Sequence, residues 1–224
     1  MEQFYSVIEK CPLFYGISQS DFSGMLHCLG ARLLEMKKGQ SVVREGDETH
    51  WVGVILSGSV HLIREDYYGV RSVLSHIGPA QIFGEAYAFS EAQALPVSVV
   101  PDQDGKVLML DSRRIVSCCS NACDFHNRMI FNLLRLVANK SLMLHQKIEI
   151  TSKRTTRQKL MSYLVYQAKL KNSVSFTIPF DRQALADYLE VDRSGLSAQI
   201  SQLRKEGILE SEKNYFRLLK PEIE

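Results

Sequence analysis

The strongest candidate for chemistry is a polar face on a predicted helix near residue 195. Leu196, Ile200 and Leu203 recur at helical spacing and form the opposite, apolar face. A guanidinium binds guanine O6 and N7 through two hydrogen bonds, and a Gln amide binds adenine. Serine hydroxyls and a helix N-terminus suit phosphate oxygens. The outward positions are Arg193, Ser194, Ser197, Gln199 and Gln202. They predict contact with DNA; a solvated face on a structural helix is the alternative.

The elements around this face have the order helix, short turn, helix, wing. Asp181 is a good N-cap for a first helix, and Asp192 for a second that runs from Arg193 to about Glu206. Gly207 ends the second helix. Two short strands around a polar turn follow, which predicts a winged helix-turn-helix. Residues 151–224 hold 13 Lys and Arg against 9 Asp and Glu, a small excess that permits a polyanion partner without proving one.

Two further regions precede the wing. From about residue 31 to residue 111, short apolar stretches alternate with Gly, Asp and Pro, which predicts an antiparallel sandwich or roll. Residues 121–150 then become helical, and apolar side chains cover more than one stripe of that helix. One face can therefore pack on its own domain and the other on a second copy. The predicted dimer interface is Met129, Ile130, Leu133, Leu136, Val137, Lys140 and Leu144. Burial of the whole helix in its own domain is the alternative.

Composition excludes several classes of protein. The chain has 224 residues, 45% of them hydrophobic and 23% charged, which is typical of a globular protein. No apolar run reaches the roughly 18 residues that cross a bilayer, and the N-terminus lacks a signal-peptide pattern. We therefore expect a cytoplasmic protein with no membrane partner. The five cysteines form no even framework, and ordinary reduced thiols are favoured over a metal or redox site at Cys118, Cys119 and Cys123.

No pattern of catalytic residues is present. Metal enzymes built on β-rolls use an H-x-H pair, a Glu and a later His, and His61, His76 and Glu85 do not have that spacing. A nucleophile elbow and a phosphate-binding Gly loop are also missing from the sequence. We expect a protein that is not an enzyme and that carries no metal site.

The order of these regions resembles the cyclic-AMP receptor protein / fumarate–nitrate reduction regulator family of bacterial transcription factors. The segments that carry the resemblance are KKGQSVVREGD (37–47), VILSGSVHLI (54–63) and QIFGEAYAFSEAQ (81–93). The resemblance implies an α+β fold with three parts. These are a cyclic-nucleotide-binding-like β-roll effector domain (a double-stranded β-helix or jelly roll) at 1–120, a dimerisation helix at 121–150 and a winged helix-turn-helix DNA-binding domain at 151–224. It also implies a homodimer that binds a palindromic promoter site on double-stranded DNA, RNA polymerase as a partner, and a small-molecule effector.

The effector implied by the resemblance is not cyclic AMP. Members that bind cyclic AMP have Gly-Glu followed about nine residues later by Arg-Ser or Arg-Ala, and the Arg neutralises the phosphate. Here Leu95 and Pro96 stand at those later positions. A buried phosphate without a cationic partner is costly. The resemblance places the effector pocket at Gly84, Glu85, Tyr87, Leu95, Pro96, Leu144 and His145. An apolar or anionic metabolite, thiol chemistry and the absence of any effector remain open. Too few N-terminal cysteines and no distinctive His spacing argue against an iron–sulfur cluster and haem.

Motif positions of the family also match the DNA-binding region. Arg182 and Gln183 align with phosphate-contacting positions. Asp192, Arg193, Ser194 and Ala198 align with positions that recognise bases. The typical Glu is Ser194 here and a second typical Arg is Ala198, so we expect a half-site that differs from TGTGA. The alternative function is a small-ligand sensor that acts through protein partners rather than DNA.

Overall fold

The structure is a computed structural model that describes residues 4–48, 50–92, 94–117 and 124–219. The chain divides into two compact units, Met1–Asn139 and Lys140–Glu224. Cys118, Cys119 and Cys123 lie outside the described residues. Within the described ranges, every helix is too short or too polar to cross a membrane.

The first unit is mostly β-structure. Its helices are α1 (Tyr5–Ile8), α2 (Gln19–Cys28), α3 (Glu85–Ala88) and α4 (Ser112–Val116), with a 3-10 turn at Pro12–Phe14. Its strands are β1 (Arg32–Met36), β2 (Trp51–Ser57), β3 (Val60–Glu65), β4 (Arg71–Ile77), β5 (Ile82–Phe83), β6 (Ser98–Pro101) and β7 (Gly105–Asp111). The strands form two antiparallel sheets, in the orders β1-β7-β2-β5 and β4-β3-β6.

The β2 strand shows how the sequence builds this roll. Val52, Val54 and Leu56 pack into a core with α2, whereas Ile55 packs into a second core with Val60 and Met36. A strand buried on both faces needs an almost continuous apolar sequence, which WVGVILS supplies. Burial of apolar side chains on both sides therefore fixes β2 at the centre of the unit.

A single helix, α5 (Asp124–Thr151), runs across the division between the units. The second unit continues with α6 (Thr156–Lys171), β8 (Ser175–Thr177), α7 (Arg182–Leu189), α8 (Arg193–Lys205), β9 (Leu209–Glu212) and β10 (Tyr215–Leu218). The strands form an antiparallel sheet in the order β8-β10-β9. The predicted α+β fold class, with a β-roll, a long helix and a winged helix-turn-helix, is confirmed.

The second unit is held by an apolar core and by helix caps. Leu164, Leu185 and Leu196 are buried in one cluster that α6, α7 and α8 share with the sheet. Thr155 begins α6 with a capping box, in which its side chain accepts a hydrogen bond from the Gln158 backbone. The caps orient three short helices around a small core, and this packing positions the outward face of α8.

Candidate nucleic-acid interface

The second helix of the helix-turn-helix, α8, has one buried face and one exposed face. Leu196, Ile200 and Leu203 are buried in the core of the second unit. The N-terminal half of the other face exposes four of the predicted contact residues: Arg193, Ser194, Ser197 and Ala198. This half of α8 therefore presents one guanidinium among small side chains, which allows close approach of another molecule.

The start of α8 is shaped by hydrogen bonds to Asp192. Its Oδ1 accepts from the Gly195 backbone N–H and from the Ser194 hydroxyl, each at 2.6 Å. These bonds, that of Ser194 first, lower the pKa of the Asp192 carboxyl. A Cβ on Gly195 would lie 2.5 Å from Asp192 Oδ2, so this position favours glycine. Asp192, a predicted contact residue, is thus the N-cap of the helix.

A groove between α8 and the β9–β10 hairpin extends this surface. Its polar lining includes Arg182, Ser197, Ser201, Arg204, Lys213 and Tyr215, together with the carboxylates Glu210 and Glu212. The sequence pattern did not predict Ser201, Arg204, Lys213 and Tyr215 at this surface. Arg204 lies seven residues after Ser197, which is two helical turns, so helical spacing alone places it on the same face. The hairpin residues follow from the fold of the wing.

Arg182 is the most constrained cation of this groove. Its guanidinium lies 5.0 Å from the centre of the Phe216 ring, and Nη2 donates to Ser211 Oγ at 3.4 Å. Burial, and then the positive charge of Arg204, lower the pKa of Arg182. Arg182 is held against the wing, and an approaching anion would offset its repulsion with Arg204.

The side chains of the three predicted glutamines are less available for contacts with bases than that of Arg193. Gln183 Nε2 donates to Asp187 Oδ1 at 2.8 Å, and Gln202 Nε2 donates to Glu206 Oε1 at 3.0 Å. Gln199 is half-buried. A base contact through the amide nitrogen of Gln183 or Gln202 would therefore replace an existing hydrogen bond.

The first unit contains a small apolar cavity of about 30 Å³. Three of the predicted effector-pocket residues, Gly84, Tyr87 and Leu95, line it. Glu48 is the charged residue of this lining, and among the described residues no Lys or Arg contributes to it. Glu85 and Pro96 do not line this cavity, and Leu144 and His145 are exposed residues of the other unit.

Gly84 has a conformation that shapes one wall of this cavity. Its φ is +83°, and a Cβ at this residue would lie 2.7 Å from the Trp51 carbonyl oxygen. Both observations favour glycine at this position. The chain turns at Gly84 into α3, where Glu85 is buried.

Helix α5 requires a correction to the predicted dimer interface. Met129 and Leu133 are 0% and 6% exposed and pack in the core of the first unit. Leu136 packs partly against the same core, and Ile130 is half-buried. Val137, Lys140 and Leu144 are exposed. The two apolar stripes of α5 therefore differ in burial. One stripe packs in the core of the first unit, whereas residues of the other stripe are exposed.

Comparisons with known proteins agree with these two units. A cyclic nucleotide-binding domain family matches residues 33–122, and a Crp-like helix-turn-helix domain family matches residues 158–222. The chain is similar to the transcriptional activator protein FnrL of Cereibacter sphaeroides, with 23% identity in an alignment 186 residues long that covers 76% of this chain and 69% of FnrL.

Two solved structures illustrate the shared fold. DNR from Pseudomonas aeruginosa is 18% identical, covers 99% of this chain and 96% of its own, and gives a TM-score of 0.51. A putative cAMP-binding regulatory protein from Silicibacter pomeroyi is 19% identical, covers 98% and 95%, and gives a TM-score of 0.52. The two domain families in this order, on this fold, show that the chain belongs to the cyclic-AMP receptor protein / fumarate–nitrate reduction regulator (Crp/Fnr) family of DNA-binding transcription regulators.

Proposed function

We propose that the protein is a cytoplasmic homodimer that binds a palindromic promoter site through α8. The observation that carries this proposal is the division of α8 into a packed apolar face and an exposed face that begins with Arg193. A helix of this kind enters the major groove with its N-terminal residues against base edges. Arg193 contacts a guanine, and Ser197 and the α8 N-terminus contact phosphates or bases.

Exposed apolar residues of α5 support the dimer. Leu134, Val137, Leu144 and Ile148 follow one another at spacings of three, seven and four residues, and Leu144 and Ile148 are each 62% exposed. This spacing fits one side of a two-stranded coiled coil. A second copy of the chain covers the stripe, and the twofold axis of such a dimer matches the symmetry of a palindromic site.

The DNA site proposed here differs from TGTGA. Arg193 retains the base-recognising position of the family, but Ser194 and Ala198 replace the family's longer charged side chains. Ser and Ala reach less far, and Ala makes only apolar contact, such as with a thymine methyl group. The base specificity of this protein therefore depends on fewer long side chains than that of members with the typical Glu and second Arg.

The proposed effector is a molecule other than cyclic AMP. The cavity beside Gly84 is small and apolar, and its charged lining residue, Glu48, is an acid. A cyclic phosphate buried there would lose its hydration without gaining a cation. An uncharged, mainly apolar ligand fits this lining better. Its binding would favour one of two conformations of the dimer.

Selection of binding sites from random duplexes tests the proposal. The full-length protein is expected to enrich a twofold-symmetric sequence whose half-sites lie about one helical turn apart, roughly 34 Å. The enriched half-site should contain a guanine and differ from TGTGA. Enrichment of no sequence would contradict the proposal and favour the alternative of a sensor that acts through protein partners. An unchanged TGTGA palindrome would contradict the proposed specificity alone.

A further inference from the structure

The outer face of the β4-β3-β6 sheet carries two histidines opposite each other. In the antiparallel register, His61 of β3 pairs with His76 of β4. Val60 and Ile77, their neighbours in the chain, are buried in the core and pair with each other. Because side chains alternate along a strand, both imidazoles lie on the face away from that core.

Asp102, which follows β6, lies beside both rings. His61 pairs with Val100 across the β3–β6 ladder, so Asp102, two residues later, shares the same face. The Asp102 Oδ2 atom is 3.3 Å from His76 Nε2 and 4.0 Å from His61 Nε2. One nitrogen from each ring and one carboxylate oxygen all lie within 4.8 Å of one another.

The carboxylate of Asp102 is held in place by its other oxygen. Ser59, a buried residue, donates its hydroxyl to Asp102 Oδ1 at 2.5 Å, and Gln103 Nε2 donates to Ser59 Oγ at 2.6 Å. Oδ2 is thus left facing the imidazoles, as in metal sites whose ligands are oriented by outer hydrogen bonds.

We propose that His61, His76 and Asp102 bind a divalent first-row transition-metal ion. Ligands of a tetrahedral zinc ion at about 2.1 Å are separated by about 3.4 Å, so small side-chain rotations close this site. Two imidazoles and one carboxylate suit Zn²⁺ and its neighbours, whereas Mg²⁺ and Ca²⁺ prefer oxygen ligands. The side chains of His61 and His76 are 33% and 56% exposed, so an ion can enter from solvent and water can complete its coordination.

The site is independent of the proposed DNA contact, since its three ligands belong to the first unit. Sequence spacing did not reveal it, because the residues are 15 and 26 positions apart and meet only through strand register. In the sequence, the acidic residue considered as a metal ligand together with His61 and His76 was Glu85, which lies in α3. The third ligand is Asp102.

Isothermal titration of the chelator-treated, full-length protein with Zn²⁺ alone tests this site. Two variants, His76→Gln and Asp102→Asn, each remove one ligand. His27→Gln removes an exposed histidine of α2 and serves as the matched control. We expect at least one Zn²⁺ equivalent per chain, bound at least tenfold more weakly by each ligand variant and unchanged in the control. Zn²⁺ should also raise the Tm of the parent protein and of the control more than that of His76→Gln.

Two results would overturn the proposal. The first is a full-length protein that takes up no Zn²⁺. The second is uptake in which both ligand variants match the control in number and affinity, which would assign the ion to other groups such as the cysteines. His76 is largely exposed, so His76→Gln should keep the parent circular dichroism spectrum, and a loss of binding by it reports on the ligand rather than on folding.

Discussion

In the proposed complex with DNA, single residues on α8 and in the groove beside it make two kinds of contact. Arg193 stands at the exposed N-terminal end, where base edges come within reach of a helix in the major groove. Arg204 stands near the C-terminal end, in the groove beside the wing. A base contact carries sequence information, whereas a phosphate contact carries charge and orientation. The two arginines should therefore respond differently to substitution.

Replacement of Arg193 and of Arg204 by alanine distinguishes these roles. Arg193→Ala should cost about 1–3 kcal/mol on the specific site and relax base choice at one position. Arg204→Ala should weaken binding to all sequences similarly and reduce the slope of log K against log salt by about 1. Mobility shifts over a range of salt concentrations measure both quantities, and Lys205→Ala, an exposed cation outside the groove lining, is the control. If Arg193→Ala weakens binding to specific and to random DNA equally, Arg193 does not recognise bases.

Tyr163 is a residue of the second core with an unsatisfied polar atom. It is 1% exposed, and within the described part of the chain its hydroxyl has no hydrogen-bond partner. Burial, and then the neighbouring Tyr188, raise the pKa of Tyr163. An unpaired buried hydroxyl costs about 1–3 kcal/mol.

Replacement of Tyr163 by phenylalanine should therefore stabilise the second unit. The ring contacts with Phe180 and Tyr188 are kept, while the cost of burying the hydroxyl is removed. We expect a free energy of unfolding higher by about 1 kcal/mol, measured by urea denaturation. Tyr215→Phe, at a more exposed ring, is the control and should change little. A clear loss of stability in Tyr163→Phe would mean that the hydroxyl has a partner.

For single residues, the sequence predicted candidate site residues that lie on one helix. It did not predict those that come together from different strands and helices in the fold. Arg193 and Ser197 followed from the period of an α-helix, because Leu196 and Ile200 identify the buried face. Lys213 and Tyr215 require the position of the wing, and the His61–His76–Asp102 cluster requires strand register. Register depends on the packing of both sheet faces, which periodicity alone does not determine.

Among the helices, a bidentate ion pair connects α6 to the end of α8. Arg157 Nη1 and Nη2 donate to the two carboxylate oxygens of Glu206 at 3.0 and 2.6 Å. The hydrogen bond from Arg157 lowers the pKa of Glu206 below its ordinary value. Since the pKa is depressed in the folded state, the stabilisation is present above the ordinary glutamate pKa of about 4.3 and is lost as pH falls through the folded value.

Arg157→Gln should therefore lower Tm at pH 7 and lose its effect in acid. Below the folded pKa of Glu206 the carboxyl is protonated in the parent protein as well, so the Tm curves of parent and variant should converge. Calorimetry between pH 7 and pH 3 measures the difference. Lys153→Gln, an exposed cation that precedes α6, provides the comparison for charge alone. A Tm difference that stays constant while the Glu206 carboxyl becomes protonated would contradict the role of Glu206.

Helix α5 shows why an amphipathic pattern gave only part of the dimer prediction. Its sequence is apolar on two neighbouring stripes, and either stripe can face a core. The structure assigns Met129 and Leu133 to the core of the first unit, and leaves Leu134 and Leu144 exposed. The choice between the stripes depends on where α2 and the 3-10 turn lie, because Met25 and Leu13 fill the same core.

For the whole molecule, the proposed dimer places a second subunit against the exposed stripe of α5. Leu144→Glu introduces a charge that a coiled-coil seam would have to bury, so it should shift the protein from dimer to monomer and weaken binding to a palindromic site. Native mass spectrometry and analytical ultracentrifugation measure the subunit number. Asn139→Glu, an exposed position outside the stripe, should leave the dimer intact. A parent protein that is monomeric both free and on DNA would refute the dimer proposal.

The separation of buried and outward side chains on α8 also bears on how regulators of this kind diversify. Leu196, Ile200 and Leu203 carry the packing, while Ser197 and Ala198 contribute little to it. Exposed substitutions of this sort change stability by only about 0.5 kcal/mol. After gene duplication, a few substitutions on the exposed face of α8 can therefore give each copy a different set of promoters. These substitutions do not require earlier changes that increase the stability of the domain.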